Sequence, residues 1–264
     1  MTQALEEIRS RRFDTRFDQG RHHRAKLGFV VLAMEQTVED DVFRLTPEGV
    51  GVHFSRVPMS SMATVASLKT MEPGIEDAAR LILPDDKLDV VSYTCNCGTM
   101  VIGEDRVLSA LKQARPEADP TTVMTSVVRG LRAVGARRIV VATPYLDEVN
   151  AHVRAFLMSH SFEVLDLQGL NLGNNKEIDC VEPKFLQEFA ASLDRADAEA
   201  VFLCCGALRA LDIVGALEEQ VGKPAIVSNQ AMMWDCLRSA GIEDRIPGYG
   251  RLLQMSGRSV GLAA

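Results

Sequence analysis

The chain lacks any stretch close to the roughly 20 unbroken apolar residues that a membrane span requires, and its N-terminus lacks the basic-then-apolar pattern of a secretory signal. A cytoplasmic protein with no membrane partner is the expectation. Basic charge is also in deficit, at 29 Lys+Arg against 36 Asp+Glu and a net charge of −7. It is concentrated only in a leading arm, residues 1–26, where Arg9, Arg11, Arg12, Arg16, Arg21, Arg24 and Lys26 alternate with Glu6, Glu7, Asp14 and Asp18. That mixture predicts a polar extension lying on the surface or on a partner subunit, and no nucleic-acid partner. Aromatics are few, at 5%, within a globular composition that is 47% hydrophobic. The 264 residues can bury a core without disulfides, as one large domain or two half-sized ones. The six cysteines read as thiols, and Cys95-Asn96-Cys97 and Cys204-Cys205 lack the C-x₂-C spacing of a tetrahedral zinc site, so no metal is expected.

What the chain does have is alternation. Runs at 27–33, 50–57, 88–94, 136–143, 162–167, 199–204 and 224–228 predict strands, several nearly all apolar and so buried on both faces. Amphipathic stretches near 73–83, 103–114, 124–134, 146–159, 183–194, 208–220 and 230–240 predict helices between them. Strand–helix alternation implies an α/β fold with parallel sheets flanked by helices. The second half also repeats the first: Gly28–Ala33 with Arg138–Thr143, Glu72-Pro73 with Glu182-Pro183, Asp89–Val91 with Glu199–Val201, and Cys95 with Cys205, each 110 residues apart. Arg132–Gly135 and Arg238–Gly241 follow at a separation of 106. A duplicated unit predicts two pseudo-symmetric lobes with the active site in the cleft between them. The expected division is residues 27–122 plus about 224–264 for the first lobe and 123–223 for the second.

Cys95 and Cys205 each end an apolar strand, where ligands of open α/β sheets sit. A small-residue turn into a helix should follow each, so that backbone N–H groups favour thiolate and lower the pKa. Pseudo-symmetry then brings the two thiols face to face as a catalytic pair. Cys97 and Cys204 are uncertain neighbours, and Cys180 and Cys236 are expected to be packing residues. Asn96, Cys97, Gly206 and Ala207 offer short donors to a substrate carboxylate, and fixed donors stabilise the enediolate formed when a neighbouring proton leaves. Tyr145, at the end of the run Ile139–Pro144, is expected to add its hydroxyl. Thr121, Thr122 and Ser228-Asn229-Gln230 are weaker candidates.

These motifs, Tyr93-Thr94-Cys95-Asn96-Cys97-Gly98-Thr99, Ala142–Asn150, Cys205-Gly206-Ala207-Leu208 and Pro247–Leu252, resemble the aspartate/glutamate racemase superfamily. The likeness spans residues 27–255 and is to the branch of maleate cis-trans isomerases, arylmalonate decarboxylases and ectoine-utilisation proteins. It implies two Rossmann-like lobes and an enzyme without cofactor or metal. Arylmalonate decarboxylases carry glycine where Cys95 stands, which points away from decarboxylation. Maleate isomerases keep both thiols; by analogy Cys95 adds to an alkene carbon, the new single bond rotates, and Cys205 assists elimination. They also use an asparagine in the first loop, where this chain has Met34-Glu35-Gln36-Thr37; a second asparagine corresponds to Asn174 or Asn175. The first loop is similar to the ectoine-utilisation members, which implies a racemase with Cys95 and Cys205 as a two-base pair. The resulting expectation is a two-cysteine isomerase or racemase of a small carboxylic or dicarboxylic acid, working as a homo-oligomer. The rivals are an arylmalonate-type decarboxylase and a non-catalytic small-acid binding protein.

Overall fold

Two four-stranded parallel sheets form the frame of the structure, a computed structural model that describes residues 10–59 and 64–257. Glu6, Glu7 and Arg9 of the arm and residues 258–264 lie outside the described residues. Strands β1 (Ala25–Leu32), β2 (Val50–Val57), β3 (Val90–Tyr93) and β4 (Asp119–Thr122) make the first sheet in the order β2-β1-β3-β4. Strands β5 (Arg138–Thr143), β6 (Glu163–Gly169), β7 (Ala200–Leu203) and β8 (Ala225–Val227) make the second in the matching order β6-β5-β7-β8. The central strands β3 and β7 are buried at every position, which is why their sequences run apolar without alternation.

Helices follow the strands: α1 (Val38–Arg44), α2 (Val65–Lys69), α3 (Glu72–Arg80), α4 (Asn96–Ile102), α5 (Glu104–Ala114) and α6 (Val123–Ala133) in the first half. The second half supplies α7 (Asp147–Ser159), α8 (Asn175–Asp179), α9 (Pro183–Ser192), α10 (Val214–Val221) and α11 (Ser228–Ser239). Among the described residues no helix is long and apolar enough to cross a membrane.

The repeat is real but its register shifts. Asp89 N–H donates to the carbonyl of Lys26 (2.9 Å) and Glu199 N–H to that of Arg138 (2.7 Å). The third strands therefore correspond at a separation of 110 and the first strands at 112, so Gly28–Ala33 does not align with Arg138–Thr143 as expected. A two-residue slip preserves which face each side chain occupies, so the apolar pattern alone does not reveal it.

Strand β4 is absent from the expected set because Asp-Pro-Thr-Thr has no apolar alternation; Pro120 is tolerated there because β4 is an edge strand. The lobe boundary also differs from expectation. Residues 225–227 pair with β7 (Val201 with Ala225, Leu203 with Val227) and so belong to the second sheet, not the first lobe. Helix α11 then packs along α6, joining the halves.

One buried carboxylate braces that join. Asp235 on α11 accepts hydrogen bonds from Thr121 Oγ1 (3.0 Å), Ser126 Oγ (2.9 Å) and Arg129 (2.9 Å). Removing one partner of a buried ion pair strands the other, at a typical cost of about 3 kcal/mol. Asp235→Ala is expected to lower unfolding stability by about that amount, read from urea denaturation; a loss below about 0.5 kcal/mol contradicts this role.

Candidate active site

The carboxyl ends of β3 and β7 face one another across the cleft. In each sheet the chain turns in opposite directions from the first and third strands, and that reversal opens a crevice at the strand ends. Cys95 and Cys205 stand there, and both line a single small cavity. Leu32, Glu35, Met59, Leu68, Thr94, Asn96, Cys97, Tyr145, Asn175, Gly206 and Ala207 line it with them among the described residues.

The two thiols are held differently. Cys95 caps α4 directly, with no intervening turn, and its Sγ accepts the N–H of Gly98 at 3.2 Å. A side chain at position 98 would collide with the Tyr93 hydroxyl, so glycine is what allows that approach. Cys205 sits at φ 144°, a strained value for a residue with a Cβ. Its N–H donates to Ser228 Oγ at 3.0 Å, and a 3₁₀ turn (Ala210–Asp212) follows before α10, where one helix over 208–220 was expected.

Burial reverses the expected acidity. It pushes the Cys95 thiol up to about 11, opposed by the Gly98 N–H and the Tyr93 hydroxyl and reinforced by the charge of Glu35. It pushes Cys205 up to about 12, opposed by the Tyr145 hydroxyl and the Ala207 N–H, with Glu35 again adding to the rise. The backbone donors are present, at a helix end for Cys95 and in a turn for Cys205, but loss of water outweighs them, so both thiols rest protonated.

Tyr145 is positioned by a local staple. Thr143 Oγ1 donates to Asn150 Oδ1 (2.6 Å), Asn150 Nδ2 donates to the Tyr145 carbonyl (3.2 Å), and the Tyr145 N–H donates to Thr143 Oγ1 (3.2 Å). Cys97 lies beside Cys95, with its thiol raised by burial and by the neighbouring sulfurs. Glu35 and Asn175 also reach the cavity.

Several expected residues are placed elsewhere. Asn96 lines the cavity, yet its Nδ2 points to Ser228 Oγ (2.9 Å) and Met124 Sδ (3.2 Å), so its donors are not free for a carboxylate. Thr122 caps α6, accepting the Thr125 N–H at 3.0 Å, and does not line the cavity. Gln36 lines a neighbouring hollow with Asn174, Asn175 and Asp179, donating to Asp179 Oδ2 at 2.6 Å. Cys204 and Cys236 are buried away from the cavity lining, and Cys180 is exposed. Among the described residues no group of three or more His, Cys, Asp or Glu side chains is arranged to hold a metal ion.

Sequence reasoning missed Thr94, whose buried Oγ1 has no partner among the described residues, and the apolar wall of Leu32, Met59 and Leu68. It also missed Asp41. Asn229 Nδ2 bridges that carboxylate (2.8 Å) to the Gly206 carbonyl (2.8 Å), bracing the loop after Cys205 from behind. Burial pushes Asp41 up to about 7. Nothing in the spacing of residues 41, 206 and 229 announces that contact.

The thiol acidities carry a direct expectation. Alkylation by iodoacetamide, followed by mass spectrometry, should label exposed Cys180 first at pH 7.5. Labelling at Cys95 and Cys205 should then climb about tenfold per pH unit between pH 8 and 10; a plateau near neutrality contradicts the buried-thiol account.

The family model for arylmalonate decarboxylase matches residues 104–253. The maleate isomerase of Nocardia farcinica is 29% identical over 240 residues, covering 87% of this chain and 95% of that protein. The arylmalonate decarboxylase of Bordetella bronchiseptica is 35% identical over 139 residues, covering 52% and 58%. Among solved structures, a cysteine-to-serine mutant of the Nocardia farcinica maleate cis-trans isomerase with a covalently bound succinylcysteine intermediate superposes with a TM-score of 0.79. It is 27% identical and covers 87% of this chain and 98% of that one. The chain belongs to the arylmalonate decarboxylase family, within the superfamily and branch that the motifs around Cys95, Tyr145 and Cys205 resemble.

Proposed function

We propose that the protein is a cysteine-dependent isomerase of a small carboxylic acid, with Cys95 and Cys205 as the reacting pair. The observation that carries this reading is the placement of both thiols on one small cavity, from corresponding strand ends of opposite lobes. A flat substrate held between them presents one face to each sulfur. The similarity to maleate isomerases runs through nearly their whole length and supports the same reaction class.

Two reaction courses use this arrangement. In the first, the minor thiolate form of Cys95, its proton having passed to solvent, bonds to one alkene carbon while the π electron pair moves to its neighbour, which takes the Cys205 proton. Rotation about the new single bond follows, the proton returns to Cys205, and the carbon–sulfur bond breaks to regenerate the alkene. In the second, one sulfur removes an α-proton and the other delivers a proton to the opposite face, which inverts the centre. Both pass through a carbanion beside a carboxylate, and donors on the carboxylate oxygens stabilise it. Tyr145 and the backbone at Cys97, Gly206 and Ala207 are assigned that task. Asn96 instead fixes Ser228.

Decarboxylation is the competing reading, favoured by the family model and by the identity to the Bordetella enzyme. Proton NMR in D₂O separates the two on a panel of cis-unsaturated acids, α-amino acids and phenylmalonate. Cis–trans conversion or α-proton exchange is expected, lowered on the order of 10³-fold by Cys95→Ser, with no CO₂ released from phenylmalonate. CO₂ release without isomerisation, or rates unchanged in Cys95→Ser, overturns the proposal.

A further inference from the structure

Glu35, in the loop between β1 and α1, is the one charged side chain lining the cavity among the described residues. It is only 7% exposed. Its Oε1 accepts the backbone N–H groups of Gln36 (3.0 Å), Thr37 (2.8 Å) and Val38 (3.2 Å). Its Oε2 takes no hydrogen bond among the described residues. Among the described residues no cation forms an ion pair with it. Arg56 spends its guanidinium on the carbonyls of Leu32 (2.9 Å), Ala33 (3.2 Å) and Glu35 itself (3.1 Å), and on an ion pair with Glu39.

The loop cannot readily turn this carboxylate away. Thr37 Oγ1 donates across the cleft to the Ala207 carbonyl at 3.0 Å, and Gln36 is tied to Asp179 at 2.6 Å. Three backbone donors, the arginine clamp and two cross-ties therefore hold Glu35 where a substrate must meet it.

Asn96 adds no donor to offset it. The Ser228 hydroxyl directs its single proton to the Leu203 carbonyl (3.4 Å), so its oxygen can only accept from the Cys205 N–H and from Asn96. That fixes Asn96 with its NH₂ toward Ser228, leaving Oδ1 buried and without a partner among the described residues. The cavity thus presents the carboxylate of Glu35 while the Asn96 amide, committed to Ser228 and Met124, supplies no donor to balance it. A dicarboxylate would place its second carboxylate against Glu35 in poorly solvated surroundings, where like charges repel strongly. A nitrogen bearing N–H groups would meet an acceptor in Glu35 instead.

We propose that the site takes an acid with a single carboxylate whose other polar end is an N–H-bearing nitrogen, amide or ammonium, that donates to Glu35, and that Glu35 sets this specificity. The inference rests on the Cys95–Cys205 cavity being the substrate site, as proposed above. It deepens that reading by excluding a dicarboxylate as the preferred substrate.

Three acids of matched carbon skeleton test it on the full chain by calorimetry: maleate, maleamate, in which a carboxamide replaces one carboxylate, and cis-4-aminocrotonate, in which an ammonium group does. The wild-type protein should bind at least one nitrogen-bearing acid about tenfold or more tightly than maleate, and the tighter of the two tells amide from ammonium. Glu35→Gln keeps an oxygen for the three backbone donors and removes the charge, so it should erase that preference, mainly by gaining affinity for maleate. A wild-type preference for maleate, an unchanged ratio in Glu35→Gln, or no binding of any of the three overturns the proposal. The wild-type ratio stands without the variant, so a misfolded Glu35→Gln does not remove the test. Proton NMR on the same mixtures keeps the two readings apart: preferential binding of a nitrogen-bearing acid without conversion or exchange removes the isomerase reading and leaves the specificity of Glu35 supported.

Discussion

The Ser228 hydroxyl is the interaction on which the site depends. It stands at the start of α11, accepts the Cys205 N–H from the second lobe and accepts Asn96 Nδ2, one residue beyond Cys95, from the first. One oxygen therefore sets the separation of two loops whose parent strands lie in different sheets. It also anchors the backbone N–H of Cys205, whose positive φ is costly and persists only where surrounding contacts impose it. Behind it, Asn229 braces the Gly206 carbonyl against Asp41. The lobes are thus joined at the chemistry itself as well as through the α6–α11 pairing.

A site closed this tightly changes the electrostatics of its own thiols. Backbone N–H groups do reach both sulfurs, from the start of a helix at Cys95 and from a turn at Cys205, but the thiols lose more from dehydration than they recover from those donors. Glu35 adds a fixed negative charge that opposes thiolate further. In the resting protein the reactive form is therefore scarce, and an approaching N–H donor that meets Glu35 would relieve part of that opposition. If Glu35 sets the specificity as proposed, the same carboxylate would couple specificity to activation.

Much of this was legible in the sequence because duplication leaves a double record. The apolar strands ending at Cys95 and Cys205 appear twice at one separation, and the structure returns the same strand order in each sheet. What could not be read depended on geometry. The two-residue offset between β1 and β5 is invisible to a pattern with period two. Strand β4 carries Pro120 and no apolar alternation, so only its edge position in the sheet accounts for it. Asn96 sits where a carboxylate donor was expected, but the proton inventory of Ser228 turns its amide the other way. The acidity of the thiols depended on burial, which residue type and spacing do not report.

The central claim is that Cys95 and Cys205 act as one unit on one substrate, and a double-mutant cycle on turnover tests it most directly. If the two sulfurs form a single reacting pair, removing the second costs little once the first is gone, so Cys95→Ser/Cys205→Ser should be about as slow as either single variant. If the losses instead multiply, or one of the single variants keeps full turnover, the two thiols act independently and the account is wrong.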